Sequence, residues 1–114
     1  MDDCLLCKII ERKVDRDIVF ENDDVIVFNY TNPQAPVHLL LFPKKHVRSI
    51  AEVEELTTKE IAELLKTISK VAKIFELDNS GFRVVTNCGA SAGQATMHLH
   101  FHILGKRDFG WPPG

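Results

Sequence analysis

The amino-acid sequence predicts an α+β domain spanning residues 1–114, in which a mostly antiparallel sheet of about five strands is backed by one long helix and preceded by a short N-terminal helix. Three observations predict it. Short β-prone runs recur between turn-forming residues, and one stretch, 57–75, repeats apolar residues at helical intervals. Near the C-terminus, His98-Leu99-His100-Phe101-His102-Ile103-Leu104 alternates imidazoles with apolar side chains. On a strand that alternation puts His98, His100 and His102 on one face and sends Leu99, Phe101 and Ile103 into the core.

The elements follow in order. Cys4-Leu5-Leu6-Cys7 opens an apolar segment through Ile9 and Ile10 that ends in Glu11-Arg12-Lys13, which reads as one or two helical turns. Its Cys-x-x-Cys pair is either a redox motif or half of a zinc site, and no βαβ context precedes it to favour redox. Ile18–Glu21 and Val25–Phe28, joined by Asn22-Asp23-Asp24, read as a β-hairpin. Tyr30 to Pro36 carries two prolines and is an irregular connection. Val37–Phe42, closed by Pro43, is a continuous apolar run interrupted by His38, as expected of a central strand. His38 would ordinarily be a hydrogen-bonded core residue; beside a histidine row it is a candidate fourth member.

A helical turn is expected after Ser49, with Glu52 three residues on. Thr57 and Glu60 have capping-box spacing, and Ile61, Leu64, Leu65, Ile68, Val71, Ala72 and Phe75 form the apolar face of the long helix. Asp78-Asn79-Ser80-Gly81 is expected to stop it. Phe82–Thr86 is another strand. It leads into a loop of small residues, 87–94, whose backbone amides can approach a phosphate closely, flanked by Asn87 and Gln94. Cys88 reads as a small buried residue. The end, Trp111-Pro112-Pro113-Gly114, is expected to fray unless it docks.

Composition narrows the function. Net charge is −2, with 14 basic and 16 acidic residues, so no basic field recommends a nucleic-acid partner. No apolar segment reaches membrane-span length, the start lacks a signal-peptide pattern, and the three cysteines, an odd number, do not suggest a disulfide framework. A cytoplasmic protein is expected. A lone strand histidine is most often a satisfied polar residue, but nothing in strand formation asks for three in strict alternation. Such a row can bind a metal, grip a phosphate, or offer one ring as nucleophile while its neighbours stabilise charge.

The histidine run matches the His-φ-His-φ-His-φ-φ signature of the histidine triad family of nucleotide hydrolases and transferases, where φ is apolar. The match extends through Cys4-Leu5-Leu6-Cys7-Lys8-Ile9-Ile10, Asn32-Pro33-Gln34-Ala35-Pro36-Val37-His38, Pro43-Lys44-Lys45-His46, Gly93-Gln94 and Trp111-Pro112-Pro113-Gly114. The short length and that end resemble the Hint branch, the nucleoside phosphoramidases, more than the dinucleoside polyphosphate hydrolases. The resemblance implies a homodimer with sheets joined across its interface and the tail reaching toward the partner's site.

It also implies roles. His100 corresponds to the nucleophile that attacks the α-phosphorus of a purine nucleoside 5′-phosphoramidate or acyl phosphate, forming a nucleotidyl-histidine that water resolves. His102, Asn87, Gln94 and the loop amides of Ala95 and Thr96 match the donors to the phosphoryl oxygens, and His38 the supporting histidine. Leu5, Leu6, Ile9, Phe28 and Leu40 match the purine slot. Cys4, Cys7, His46 and His98 match the four ligands of a structural zinc ion found in some members. Two positions depart from the pattern: Tyr30 stands where the branch has an aspartate for the ribose hydroxyls, and Ala95 where a serine or threonine contacts phosphate. A nucleotide-binding protein with little turnover and a transition-metal site on the histidine row are the competing classes.

Overall fold

The computed structural model describes residues 3–114. Cys4 caps the short helix α1, Leu5–Ile10, its Sγ accepting the Cys7 N–H at 3.3 Å. Five strands follow: β1, Ile18–Glu21; β2, Val25–Asn29; β3, Val37–Pro43; β4, Phe82–Val85; and β5, Phe101–Gly105. They form one sheet in the order β1-β2-β3-β5-β4, with every neighbouring pair antiparallel. The hairpin turn is made by Asn22, whose Oδ1 accepts the amides of Asp24 and Val25 at 2.9 Å each. Such a side chain mimics a backbone turn.

Alternation along the strands divides the sheet into two apolar faces. Val25, Val27, Leu39, Leu41, Leu99, Phe101 and Ile103 pack under the long helix α2, Thr58–Ile74. Ile26, Phe28, Leu40 and Phe42 face the other way and pack against Leu6 and Ile9 of α1. The histidine run therefore belongs to the α1 face, because its apolar partners are taken by α2. The long helix begins with the expected capping box, Thr57 Oγ1 accepting the Glu60 N–H at 3.1 Å and Glu60 Oε1 the Thr57 N–H at 2.7 Å. The turn after Ser49 is a 3-10 segment, Ile50–Glu55.

Three expectations are corrected. The long helix stops at Ile74, well before Asp78-Asn79-Ser80-Gly81. Glu76 takes the left-handed conformation (φ 58°), its amide reaching Lys73 O at 3.1 Å, while the Leu77 amide reaches Ala72 O at 2.7 Å and its side chain is fully buried. That is a Schellman end, and burying Leu77 offsets the cost of a left-handed non-glycine residue.

The histidine strand is also shorter than its sequence alternation. Regular pairing covers Phe101–Gly105, and His98–His100 lie before it. The β3 register would place Pro43 opposite Leu99, and proline has no N–H for a ladder. Other bonds take over: Leu99 N–H reaches Val47 O at 2.8 Å and Thr86 Oγ1 donates to His100 O at 2.7 Å.

Cys88 is exposed rather than buried, its Sγ 3.3 Å from Ser49 Oγ, because it falls in the loop after β4 and not on a core face. Among the described residues no helix is long and apolar enough to cross a membrane.

Candidate active site and metal centre

Adjacent positions on β3 and β5 bring the histidines together. Leu40 pairs with His102 and His38 with Leu104, so His38 and His102 are diagonal neighbours on one face, with Nε2 and Nδ1 2.8 Å apart. A main-chain amide can only donate, so the Gln34 N–H, 3.0 Å from His38 Nδ1, makes that nitrogen the acceptor. The proton of neutral His38 is then on Nε2, where it is donated to His102 Nδ1, and the proton of neutral His102 is on its own Nε2. One backbone amide thus sets two tautomers in series. Both rings are held neutral: burial lowers the His38 pKa, and burial with the neighbouring His100 and His38 rings pushes His102 down to about 4.

His100 is oriented in the opposite sense. Its Nδ1 lies 2.7 Å from His98 O, a carbonyl that can only accept, so Nδ1 carries the proton and neutral Nε2 keeps its lone pair. Its ring centroid is 5.4 Å from that of His102. Both line a cleft of about 180 Å³ whose other walls include Leu5, Leu6, Phe28 and Leu40 on one side and Asn87, Gly93, Ala95 and Thr96 on the other. A nucleophilic nitrogen, a neighbouring N–H donor and an apolar slot therefore share one cavity.

The loop wall is built by Gln94. Its Oε1 accepts the Gly89 N–H at 2.8 Å, and its Nε2 donates to Arg48 O at 2.7 Å and to Thr96 O at 3.1 Å. Gly89 and Gly93 adopt φ 87° and 86°, which only glycine takes without strain. The amides of Ala92, Gly93 and Gln94 are spent inside this turn, and Ala95 and Thr96 follow it into the cleft wall.

Beside the cleft, Cys4, Cys7, His46 and His98 gather with their donor atoms all within 4.8 Å of one another. Cys4 Sγ is 3.4 Å and Cys7 Sγ 3.6 Å from His98 Nδ1; Cys7 Sγ is 3.3 Å and His98 Nδ1 3.1 Å from His46 Nδ1. Tetrahedral zinc bonds of about 2.3 Å to sulfur and 2.0–2.1 Å to nitrogen require ligand atoms about 3.3–3.8 Å apart. The cluster is close to those separations already. His98 Nε2 donates to Pro43 O at 2.8 Å, which leaves Nδ1 as the lone pair facing the thiols. Burial lowers the pKa values of His98, to about 4, and His46, favouring neutral ligand forms, whereas burial and Cys4 raise Cys7 to about 11. A bound dication would reverse that last effect by stabilising thiolate.

A HIT domain model matches residues 11–109. An uncharacterized HIT-like protein of Synechocystis is 42% identical over 113 residues, 99% of this chain and 98% of that one. This chain belongs to the HIT family. Among solved structures, a HIT family hydrolase from Legionella pneumophila superposes with a TM-score of 0.94 at 38% identity, covering 98% of this chain and 100% of that one. A HIT family hydrolase from Clostridium thermocellum gives 0.91 at 39% identity, with 96% of each chain covered.

Within the HIT fold, most residues singled out in the sequence converge. His100, His102, Asn87, Ala95, Thr96, Leu5, Leu6, Phe28, Leu40 and Tyr30 line the cleft, and His38 stands behind His102. Ile9 is fully buried in the core beneath α1 rather than on the cleft surface. The Gln94 side-chain amide is taken up by Gly89 and Thr96 of its loop and by Arg48 O outside it. His98 contributes its carbonyl oxygen to the cleft residues and its ring to the metal cluster. Arg16 and Thr31 also line the cleft and escaped the sequence reading. Arg16 lies in the irregular segment before β1, its guanidinium 5.9 Å from the Phe28 ring centroid, and no periodicity marks such a contact.

Proposed function

We propose that this HIT protein is a nucleotide hydrolase of the Hint kind, cleaving purine nucleoside 5′-phosphoramidates or acyl-nucleotides through a covalent intermediate on His100. The supporting observation is the opposed tautomer setting of two adjacent rings: His100 with its proton on Nδ1 and lone pair on Nε2, His102 with its proton on Nε2. In the first step His100 Nε2 forms a bond to the α-phosphorus while the P–N or P–O bond to the leaving group breaks, an amine departing with a proton taken from solvent and an acyl group as its carboxylate. His102 Nε2–H, Asn87 and the Ala95 and Thr96 amides stabilise the charge on the phosphoryl oxygens. Water then displaces His100 from phosphorus, releasing the nucleoside monophosphate and restoring the free imidazole.

The purine occupies the slot lined by Leu5, Leu6, Phe28 and Leu40. Zinc is held by Cys4, Cys7, His46 and His98, where a closed four-ligand set supplies structural stability rather than a reacting position. The protein works as a homodimer. The deciding experiment is hydrolysis of adenosine 5′-phosphoramidate by the native protein and by His100→Ala, with intact mass recorded during turnover. A rate lowered by about a thousandfold or more in the variant, and an adenylyl adduct on the native chain alone, is the expected outcome. Nucleotide binding without turnover or adduct would instead identify a binding protein.

A further inference from the structure

The cleft has an unusual charge balance for a site that is to hold a sugar. Among the described residues no aspartate or glutamate lines it, and outside its histidines the charged lining side chain is Arg16. The position between the apolar slot and the histidines is filled by Tyr30. Its ring stacks on His38 at 4.5 Å between centroids and 30° between planes, meets His102 edge-on at 5.2 Å, and its main-chain N–H reaches His38 O at 2.9 Å. The ring is held against two imidazoles, and the main-chain bond fixes the backbone that carries it.

A vicinal diol presents two O–H donors side by side. The group that grips both is a carboxylate, with two acceptor oxygens and a full charge; a phenol offers one neutral oxygen. The carboxylates that flank Arg16 in the sequence do not supply such a group. Asp17 accepts Asn29 Nδ2 at 2.6 Å, Asp15 is exposed, and neither lines the cavity. Thr31 and Asn87 add only neutral polar atoms.

We infer that this site does not read the 2′,3′-diol and accepts 2′-deoxynucleotide substrates about as readily as ribonucleotides, with Tyr30 serving as a wall packed against the sugar. The inference rests on the nucleotide-hydrolase reading above and names its substrate class. Tyr30 is also a positioning residue, since its ring shields the His38–His102 bond that sets the His102 proton.

The test compares kcat/KM for adenosine and 2′-deoxyadenosine 5′-phosphoramidates in the native protein, Tyr30→Phe and Tyr30→Asp. The native ratio is expected within about fivefold of unity, the scale of one neutral hydrogen bond. Tyr30→Phe keeps the ring and removes only the neutral hydroxyl, so it is expected to keep that ratio. Tyr30→Asp is expected to create a ribose preference of about tenfold or more, carried mainly by KM, because a carboxylate then faces the diol. The same variant is expected to change the pH profile of kcat, since the ring against His38 and His102 is lost and a carboxylate, which favours their protonated forms, takes its place.

A native ribose preference above about fivefold, or one abolished by Tyr30→Phe, overturns the inference. Should Tyr30→Asp fail to fold, the native and Tyr30→Phe ratios decide alone. Turnover of neither substrate is the distinct failure of the hydrolase reading, and the inference falls with it.

Discussion

His98 meets two demands at once: its ring nitrogen Nδ1 faces Cys4 and Cys7, and its carbonyl oxygen receives the Nδ1 proton of His100. The alternation of histidines was legible because period two is a local property of the chain. Its consequences were not, because the partners that set each tautomer, Gln34 N–H for His38 and Pro43 O for His98, come from elements that only the fold brings near. The same rings make acid the weak side of this protein. His98 and His102 have folded-state pKa values of about 4, below the ordinary value of about 6.5 that the unfolded chain regains. The unfolded state therefore binds more protons between these values, so their stabilisation is complete above about pH 6.5 and is lost as pH falls toward 4. Thermal melts of metal-free protein should show Tm level from pH 8 to 6.5 and falling below it, with a shallower fall in His102→Gln. At Gln94, assigned to the phosphate from the sequence, three bonds brace the loop instead. Gln94→Ala leaves Arg48 O, Thr96 O and Gly89 N–H without that partner, and urea unfolding should report a loss of about 1–3 kcal/mol.

Helix α1 has six residues, too few to persist alone, yet Leu5 and Leu6 form part of the cleft wall. Burial of Leu6 and Ile9 holds one side of it, and the Cys4–Cys7 cluster anchors its first turn to His46 and His98. A metal at that cluster thus ties the slot wall to the histidine run. Protein purified without chelator should carry one zinc per chain, measurable by elemental analysis. Stripping it, or replacing Cys7 by Ser, should cost about 2 kcal/mol or more, seen as a fall in Tm of roughly 10 °C, and should raise KM more than it lowers kcat. An unchanged Tm after verified metal loss would mean that Leu6 and Ile9 suffice. Element types were legible wherever one rule acted alone, as in the capping box at Thr57 and Glu60. Ends were less so: the stop of α2 is decided by the burial of Leu77, and the start of β5 by a proline on its neighbour, each a tertiary effect on a local pattern.

Across the whole molecule the sheet has two edges, and they differ. On β1, Glu21 is paired with Lys44 at 2.6 Å and with Arg12, a charged edge that discourages further pairing. On β4, Phe82 and Val84 are exposed and uncharged. The tail leaves from the same side, where the Phe109 ring sits 5.1 Å from the Arg83 guanidinium and 4.2 Å from that of Arg107, and Arg83 Nη2 holds Gly110 O at 2.8 Å. This clasp was not legible, because Arg83 on β4 and Gly110 in the irregular tail are 27 residues apart. It leaves Trp111, the only tryptophan of the chain, 83% exposed. A homodimer that continues the sheet through β4 would cover Phe82 and Val84 and give the clasped tail a second surface to meet. Sedimentation should therefore find twice the chain mass, and Val84→Lys should shift it to the monomer by placing like charges at the joined edge. Trp111 emission should move to longer wavelength in that variant as the indole returns to water. Monomeric native protein with fully solvated Trp111 emission would place the partner of β4 elsewhere than in a second copy.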